Sequence, residues 1–370
     1  MSKKIVILGT SEHINPAIER AKSLGFETYV FAWHADEIGE KTADCYYPIS
    51  LRNYEEICEQ CRKIEPLGIV SLSSDLAAIT ASYISDKLSL VGNGYQQTLQ
   101  ITNKLQCRRI LEKSGIPQPR FVGIGDEMSV GDCKKIEFPV IVKPTDRSGS
   151  RGVKKIRNRS ELLRGLATAR DISFERRAIV EDYIIGRHFS CECISYHGEH
   201  RILAYTKRDD IEGQSCFIEH LHSQPANLTE EQRQRADYVV QCALNTLQIK
   251  NGASSVEFVI DLDNQLKVIE VTPSMYGDFI GTDLVPVSTG FDYVKMILNI
   301  ACGVAPDFTR SANTATVCSQ IIVCKQDVLK LNHLLKSNPE SLLRHKLMVN
   351  EAEVPDEITG ERYGFFIYKH

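Results

Sequence analysis

Short apolar segments alternate with amphipathic segments along the first hundred residues, and this alternation constrains the fold more than any other feature of the sequence. The apolar segments predict strands at residues 4–8, 28–33, 45–49, 68–72 and 89–91. The amphipathic segments predict helices at residues 16–24, 53–64 and 76–87. Strands that alternate with helices pack as a mainly parallel sheet covered on both faces, so we expect a doubly wound α/β lobe here.

The turn after the first predicted strand, residues 9–13 (GTSEH), does not have the GxGxxG spacing of a dinucleotide-binding loop. This argues against an NAD-binding enzyme. A more mixed pattern begins near Tyr95. It predicts helices at 95–102, 103–113, 160–168 and 229–247, a hairpin of strands 255–260 and 265–271, and strands 316–323 and 363–368 around a helix at 328–336.

Composition excludes several classes of protein. The 370 residues carry a formal charge of −4, which does not favour a nucleic-acid or membrane-surface partner. The apolar run at the N-terminus is too short for a secretory signal, and no segment is long and apolar enough to span a bilayer. We therefore expect a cytoplasmic protein whose 12 cysteines are reduced thiols.

A Gly/Ser-rich loop follows a predicted buried strand that ends in Lys143. In this loop, glycines allow backbone N–H groups to approach phosphate oxygens, and Arg147 and Arg151 add positive charge. The same pattern is also typical of a plain hairpin turn with solvated charges. A second candidate is the acidic strand end at Glu181 and Asp182, which can offer backbone groups and a carboxylate to a nucleoside. The alternative is an ordinary strand end with solvated charges.

The predicted hairpin carries two glutamates among apolar residues. Counting from the four-residue turn at 261–264 places Glu257 and Glu270 near the same end of the two strands. Two carboxylates in an apolar setting repel each other and are costly to bury. A divalent cation such as Mg²⁺ relieves both problems, whereas exposure of both side chains to solvent is the alternative.

In this order, the motifs resemble those of the ATP-grasp superfamily, and in particular its carboxylate–amine ligases that act on amino acids and peptides. Lys104, with residues 108–111 and the GIPQP segment at 115–119, is similar to the family's first nucleotide lysine and the segment after it. Lys143 resembles the second lysine, and the loop at 148–153 resembles the phosphate-covering loop. Glu257 and the EVTP segment at 270–273 are similar to the magnesium-binding carboxylates.

The resemblance spans about residues 1–303 and implies a division into lobes. Residues 1–98 would form the doubly wound parallel-sheet lobe, followed by the two α+β lobes of an ATP-grasp fold at 99–310. A small nucleotide-clamping lobe would occupy about 115–185, and a larger catalytic lobe about 186–310. Residues 311–370 would form an α/β extension that packs on the catalytic lobe.

The resemblance also implies ATP and Mg²⁺, with Mn²⁺ as an alternative metal, and assigns residues to them. Lys104 and Lys143 would neutralise phosphates, with His222 at a further phosphate-facing position. The remaining nucleotide-binding candidates are Ser148, Gly149, Ser150 and Gly152 for the phosphates, and Glu181, Tyr183, Ile184 and His188 for the adenosine. Metal ligands would be Glu257, Glu270 and Thr272.

Two residues depart from the Glu-x-Asn-Pro-Arg pattern of many family members. Thr272 replaces an amide that would ligate metal, and Ser274 replaces an arginine that would hold an anionic substrate. We predict catalytic roles for Arg151, Lys207 and Thr272, with Arg208 as another candidate for the lost positive charge. The missing arginine weighs against a biotin carboxylase.

The function that this resemblance implies is ATP-dependent ligation of a carboxylate to an amine through an acyl phosphate. The alternatives are a carboxylase acting through carboxyphosphate, of the biotin carboxylase or aminoimidazole ribonucleotide carboxylase kind, and a nucleotide-binding subunit without turnover. The expected partners are small-molecule carboxylate and amine substrates, and the architecture resembles that of homodimers. The sequence leaves the identity of the acid and the amine open.

Overall fold

The first lobe contains a four-stranded parallel sheet. The structure is a computed structural model that describes residues 3–124, 137–212 and 217–370. The strands are β1 (Lys3–Leu8), β2 (Phe26–Phe31), β3 (Cys45–Tyr47) and β4 (Gly68–Ser71), in the order β3-β2-β1-β4. The helices are α1 (Asn15–Ser23), α2 (Ile38–Thr42), α3 (Tyr54–Ile64) and α4 (Asp75–Leu88). The predicted doubly wound lobe is confirmed.

One predicted strand of this lobe, residues 89–91, is wrong. Ser89 instead ends α4 in the left-handed conformation, with φ 54°. Leu90 and Val91 are partly buried and pack against two different apolar clusters of the lobe. Their hydrophobicity therefore reflects packing in a turn and not a fifth strand.

Two short helices, α5 (Tyr95–Thr102) and α6 (Lys104–Lys113), connect this lobe to the rest of the chain. Asn103 caps α6, because its side chain accepts a hydrogen bond of 3.1 Å from the backbone N–H of Gln106. The small lobe that follows has β5 (Phe121–Ile124), β6 (Val140–Pro144), β7 (Lys154–Ile156) and β8 (Ala178–Asp182), in the antiparallel order β5-β8-β6-β7, with α7 (Arg159–Ile172).

The large lobe is an antiparallel sheet of eight strands in the order β13-β12-β9-β10-β11-β14-β16-β15. Its strands are β9 (Gly186–Tyr196), β10 (Glu199–Glu212), β11 (Phe217–Gln224), β12 (Gly252–Asp261), β13 (Leu266–Thr272), β14 (Val317–Ile322), β15 (Leu342–Leu347) and β16 (Gly364–Lys369). Its helices are α8 (Glu230–Thr246), α9 (Val285–Thr289), α10 (Tyr293–Ala301) and α11 (Lys325–Ser337), and a π-helix spans Ile280–Leu284.

The last 60 residues belong to the same sheet as the large lobe. Strand β14 pairs with β11 on one side and with β16 on the other, so hydrogen bonds run without a break into the C-terminal segment. The sequence did not indicate β15, because its charged residues Arg344, His345 and Lys346 hide the strand pattern at this exposed sheet edge. No helix among the described residues has both the length and the apolar character needed to cross a membrane.

Because β16 is part of this sheet, we expect its central aromatic residue to stabilise the whole lobe. Phe366 is completely buried, and replacing it with alanine should lower the free energy of unfolding by about 3–5 kcal/mol. Urea unfolding followed by circular dichroism measures this. Leu329→Ala, at a side chain that is 61% exposed, is the control and should change the value by less than about 0.5 kcal/mol. Equal effects of the two substitutions would contradict the integration of β16.

Candidate functional site

A cavity of about 970 Å³ lies between the three lobes. Loops after β1, β2 and β4 form one side, the small lobe covers another, and the face of the large sheet forms the floor. Thirteen of the predicted site residues line it, from all parts of the proposed nucleotide and metal site: Lys104, Lys143, Ser148, Gly149, Ser150, Arg151, Glu181, Tyr183, Ile184, His188, Glu257, Glu270 and Thr272.

The hairpin β12–β13 brings the two predicted metal-binding glutamates together. Glu257 and Glu270 are paired across the two strands, as counting from the turn predicts. Strand alternation explains their orientation, because Val256 and Phe258 are buried in the apolar core while Glu257 faces the cavity. A register shift between Glu257 and Phe258 locally bends the strand.

Lys104, the first residue of α6, forms an ion pair with one of these glutamates. Its Nζ lies 2.5 Å from Oε1 of Glu270. Burial acts to lower the pKa of Lys104, but Glu270 and the nearby Asp75 outweigh it, so the pKa lies above its ordinary value. For Glu270, burial acts to raise the pKa, but Lys104 and Lys143 outweigh it and the pKa is lowered. Both groups are therefore charged.

Glu181, at the end of β8, is held by two cations in the interior. Its carboxylate accepts from Nε of Arg108 at 2.7 Å and contacts Nζ of Lys143 at 2.8 Å. Burial acts to raise the pKa of Glu181, but Arg108 and Lys143 lower it to about 2. Glu181 is thus ionised and binds Lys143, a contact that we did not predict from the sequence.

Arg208 on β10 binds the other glutamate of the hairpin. Its guanidinium forms ion pairs with Glu257 and, at 3.0 Å, with Glu219 on β11, and it lies 4.7 Å from the ring centroid of Tyr276. His188 on β9 is close by, with Nδ1 at 3.2 Å from Oδ2 of Asp210. A row of charged side chains therefore extends across the sheet from the β12–β13 hairpin toward β11.

The loop after Lys143 is held at its beginning by contacts with the segment that follows α7. Asp146 accepts hydrogen bonds from the backbone N–H groups of Phe174 and Glu175, at 3.2 and 2.7 Å. Arg147 stacks over the ring of Phe174 at 4.2 Å. Gly149 and Ser150 have φ of 64° and 54°, which turns the backbone tightly at the wall of the cavity.

Three predicted residues do not line the cavity. Lys207 lies on β10 beside Arg208 and points the opposite way, so its Nζ pairs with Asp209 at 2.8 Å. Arg208 lines the cavity and Lys207 does not, so the position of Lys207 does not support its predicted catalytic role. Gly152 packs against Pro144 and Ile172, which a Cβ would approach to 3.1 Å. His222 is fully buried behind the wall, and its predicted contact with a phosphate is not supported.

Sequence reasoning missed other residues of the cavity. Arg362, just before β16, reaches the cavity wall and donates to Asp278 at 2.7 Å. Asp75 begins α4 and lies near Lys104 and Glu270, and burial raises its pKa to about 6. Neither residue lies in a local sequence motif. The only signal that the sequence offered was a charged residue next to a predicted strand or helix.

The donors on the hairpin fit Mg²⁺. Carboxylate oxygens are the ligands that this ion prefers, and it is usually held by one or two of them together with substrate phosphates. Lys104 contacts Oε1 of Glu270, and Arg208 contacts Oε2 of Glu257. Among the described residues, the second oxygen of each carboxylate makes no hydrogen bond and remains able to bind a metal.

Comparison with known proteins identifies a family match within the chain. Residues 136–283 match the model of the family described as ATP-grasp domain. The chain is 26% identical over 197 residues to a D-alanine–D-alanine ligase of Thermosipho africanus, and this match covers 49% of the chain and 52% of the ligase. The chain thus spans about half the length of that relative.

Two solved structures share the fold over the whole chain. An L-amino acid ligase from Bacillus licheniformis has a TM-score of 0.82 at 20% identity, and 93% of that chain is covered. The biotin carboxylase domain of the Hydrogenobacter thermophilus 2-oxoglutarate carboxylase, in complex with MgADP and bicarbonate, has a TM-score of 0.76 at 19% identity, and 86% of that chain is covered. ATP-grasp enzymes use ATP and Mg²⁺. Residues 136–283 therefore match the ATP-grasp domain family, and the whole chain shares the fold of these two solved structures.

Proposed function

We propose that the chain is an ATP-dependent ligase that joins a carboxylate to an amine. A carboxylate oxygen attacks the γ-phosphorus of ATP, the bond to ADP breaks, and an acyl phosphate forms. The amine nitrogen then attacks the acyl carbon, loses a proton, and displaces inorganic phosphate. The products are an amide, ADP and phosphate.

The observation that carries this proposal is the pairing of cations and carboxylates on the walls of one cavity. Lys104 meets Glu270, Lys143 meets Glu181, and Arg208 meets Glu257. A nucleoside triphosphate with a divalent cation requires both kinds of charge within a few ångströms, because the phosphates bind lysines and the metal binds carboxylates.

We assign the individual roles by what each side chain faces. Glu257 and Glu270 would hold Mg²⁺, with Thr272 at the edge of the set, and the bound ion would neutralise charge on the phosphates. Lys104 and Lys143 would bind phosphate oxygens. Glu181, Tyr183, Ile184 and His188 would surround the adenosine, since they lie along the strand end and connector at one wall of the cavity.

The loop around Ser148, Gly149, Ser150 and Arg151 would cover the phosphates. Its backbone already turns through two residues with positive φ, and Arg151 donates to the carbonyl of Ser148 at 3.0 Å. An acyl phosphate is destroyed by water, so a cover over the reacting groups is needed for transfer to an amine. Anchoring of Asp146 to the 174–175 backbone gives this cover a fixed base.

A carboxylase that forms carboxyphosphate remains the competing function. Ser274, which stands where an arginine would hold an anionic substrate, is buried in the cavity wall. Arg208 and Arg362 supply positive charge nearby, but both are paired with carboxylates. The lining is therefore mixed in charge, which suits an amine-bearing substrate better than bicarbonate alone.

A matrix of carboxylates and amines tests the proposed function. The purified chain should form ADP from ATP and Mg²⁺ only when a suitable acid and amine are both present, because the acyl phosphate is consumed by the amine. Coupled detection of ADP measures the rate for each pair. ADP formation with bicarbonate and no other acid would favour the carboxylase, and the absence of acid-dependent ADP formation across a broad matrix would contradict the ligase.

Lysines that line the cavity should contribute to ATP binding, whereas a lysine outside it should not. Lys104→Met and Lys143→Met each remove a charge-assisted contact of about 1.5–3 kcal/mol and should weaken ATP binding by about 10–100-fold. Lys207→Met is the matched control, because Lys207 does not line the cavity. Calorimetric titration with a non-hydrolysable ATP analogue and Mg²⁺ measures the affinities, and an equal loss in the control would contradict the assignment.

Removal of one metal-binding carboxylate should affect turnover more than binding. Glu270→Gln keeps the size of the side chain but loses the charge that faces both Lys104 and the metal, and ADP formation should fall by about 100-fold or more. Asp263→Asn, at the exposed turn of the same hairpin, should leave the rate unchanged. Chelation of Mg²⁺ should abolish turnover in the wild type, and re-addition should restore it. Full activity of Glu270→Gln would contradict the assigned role.

A further inference from the structure

Three potential metal ligands lie together outside the β12–β13 hairpin. They are Glu219 and His222 on β11 and Asp278 in the segment after β13, and their ligand atoms all lie within 4.8 Å of one another. Residues three apart on a regular strand point to opposite faces. Here the register of β10 against β11 shifts between Asp209 and Asp210, which inserts one residue in β11 and brings Glu219 and His222 to the same side.

Several buried polar atoms in this cluster lack a partner. His222 is fully buried, and neither of its ring nitrogens has a hydrogen-bond partner among the described residues. The same holds for Oδ2 of Asp278, a residue that is 5% exposed. Leaving such atoms unpaired is unfavourable, so a native structure requires a reason for them.

The distance between these unpaired atoms matches coordination to a shared ion. Nε2 of His222 lies 3.6 Å from Oδ2 of Asp278, which is too long for a hydrogen bond. Two ligands on one metal with bonds of about 2.0–2.2 Å are separated by about this distance. Glu219, the third potential ligand, lies on the cavity side of the cluster.

The neighbouring side chains hold the carboxylates in place by their outer oxygens. Arg362 donates to Oδ1 of Asp278 at 2.7 Å and leaves Oδ2 facing His222. Tyr276 donates to Oε1 of Glu219 at 2.7 Å, and Arg208 contacts the same oxygen at 3.0 Å. Hydrogen bonds of this kind orient carboxylate ligands around metal ions.

The charge of the cluster favours a further cation. Arg208 and Arg362 are the two guanidinium groups, and they face four carboxylates: Asp210, Glu219, Glu257 and Asp278.

We infer that Glu219, His222 and Asp278 form a second divalent-cation site, separate from Glu257 and Glu270. A set of one imidazole and two carboxylates suits Zn²⁺, Mn²⁺ or Fe²⁺ better than Mg²⁺, which prefers oxygen ligands alone. Glu219 and Asp278 line the cavity, so the position beyond the three protein ligands opens toward the substrate. The ion would bind an oxygen or nitrogen of a substrate at this wall.

Metal binding in the absence of nucleotide tests the site. The full chain carrying Glu257→Gln and Glu270→Gln, which removes the hairpin site, is stripped with a chelator and titrated with Co²⁺ while its visible absorption is recorded. One ion per chain should bind. His222→Gln and Asp278→Asn, added to this background, should each weaken binding by about 100-fold or more, since loss of even an outer partner of a ligand costs about 10–100-fold.

His220→Gln is the matched control for this experiment. His220 lies on the same strand, but its Nε2 is 2.8 Å from Asp327 and it takes no part in the cluster. It should leave Co²⁺ affinity unchanged, and thermal unfolding of each variant verifies that it is folded. Because His222 is buried, Asp278→Asn keeps the site testable if His222→Gln does not fold.

Three outcomes would overturn the site. They are no Co²⁺ bound by the stripped chain, a Co²⁺ affinity that is unchanged from the background in the His222→Gln and Asp278→Asn variants, and this unchanged affinity together with an increased KM for the amine substrate, which would make the cluster an ammonium site. None of the metal titrations uses ATP or turnover. Failure of the second site is therefore distinguishable from failure of the proposed ligase activity, which the acid and amine matrix tests in the wild type.

Discussion

The buried ion cluster at Glu181 is the interaction on which the rest of the site depends. Arg108 of α6 binds Glu181 of the small lobe and also donates to the carbonyls of Val268 and Ile269, at 2.8 and 2.5 Å, on strand β13 of the large lobe. One guanidinium thereby connects three parts of the chain. Removal of one member of such a buried pair leaves an uncompensated charge and costs about 3–5 kcal/mol.

This cluster explains how the charged side chains of the cavity are held in position. The residue that follows Ile269 is Glu270, so the hydrogen bonds from Arg108 fix the strand next to the carboxylate that binds Lys104. Lys143, on strand β6 of the small lobe, is held by Glu181 at the same centre. Lys104, Lys143 and Glu270 are therefore positioned by one network of ion pairs and hydrogen bonds. Such preorganisation is what electrostatic catalysis requires.

Features that short-range rules determine could be predicted from the sequence. Features that depend on long-range packing could not. Glu257 and Glu270 were placed together because a short turn sets the register of a hairpin. Local composition shows neither the bulge in β10 nor which of its side chains face the cavity. Lys207 was therefore predicted ahead of Arg208. Arg362 lies 84 residues from Asp278, and no local pattern predicts that contact. The unpaired nitrogens of His222 likewise follow from tertiary structure alone.

The central claim is that the chain transfers the γ-phosphoryl group of ATP to a carboxylate before the amine attacks. The most direct measurement uses the acid found in the substrate matrix, labelled with ¹⁸O in its carboxylate, and mass spectrometry of the inorganic phosphate released during ligation. An acyl phosphate intermediate predicts one ¹⁸O atom in each phosphate, because the carboxylate oxygen that attacks phosphorus leaves with it. Unlabelled phosphate, with ATP still consumed and amide still formed, would contradict the claim.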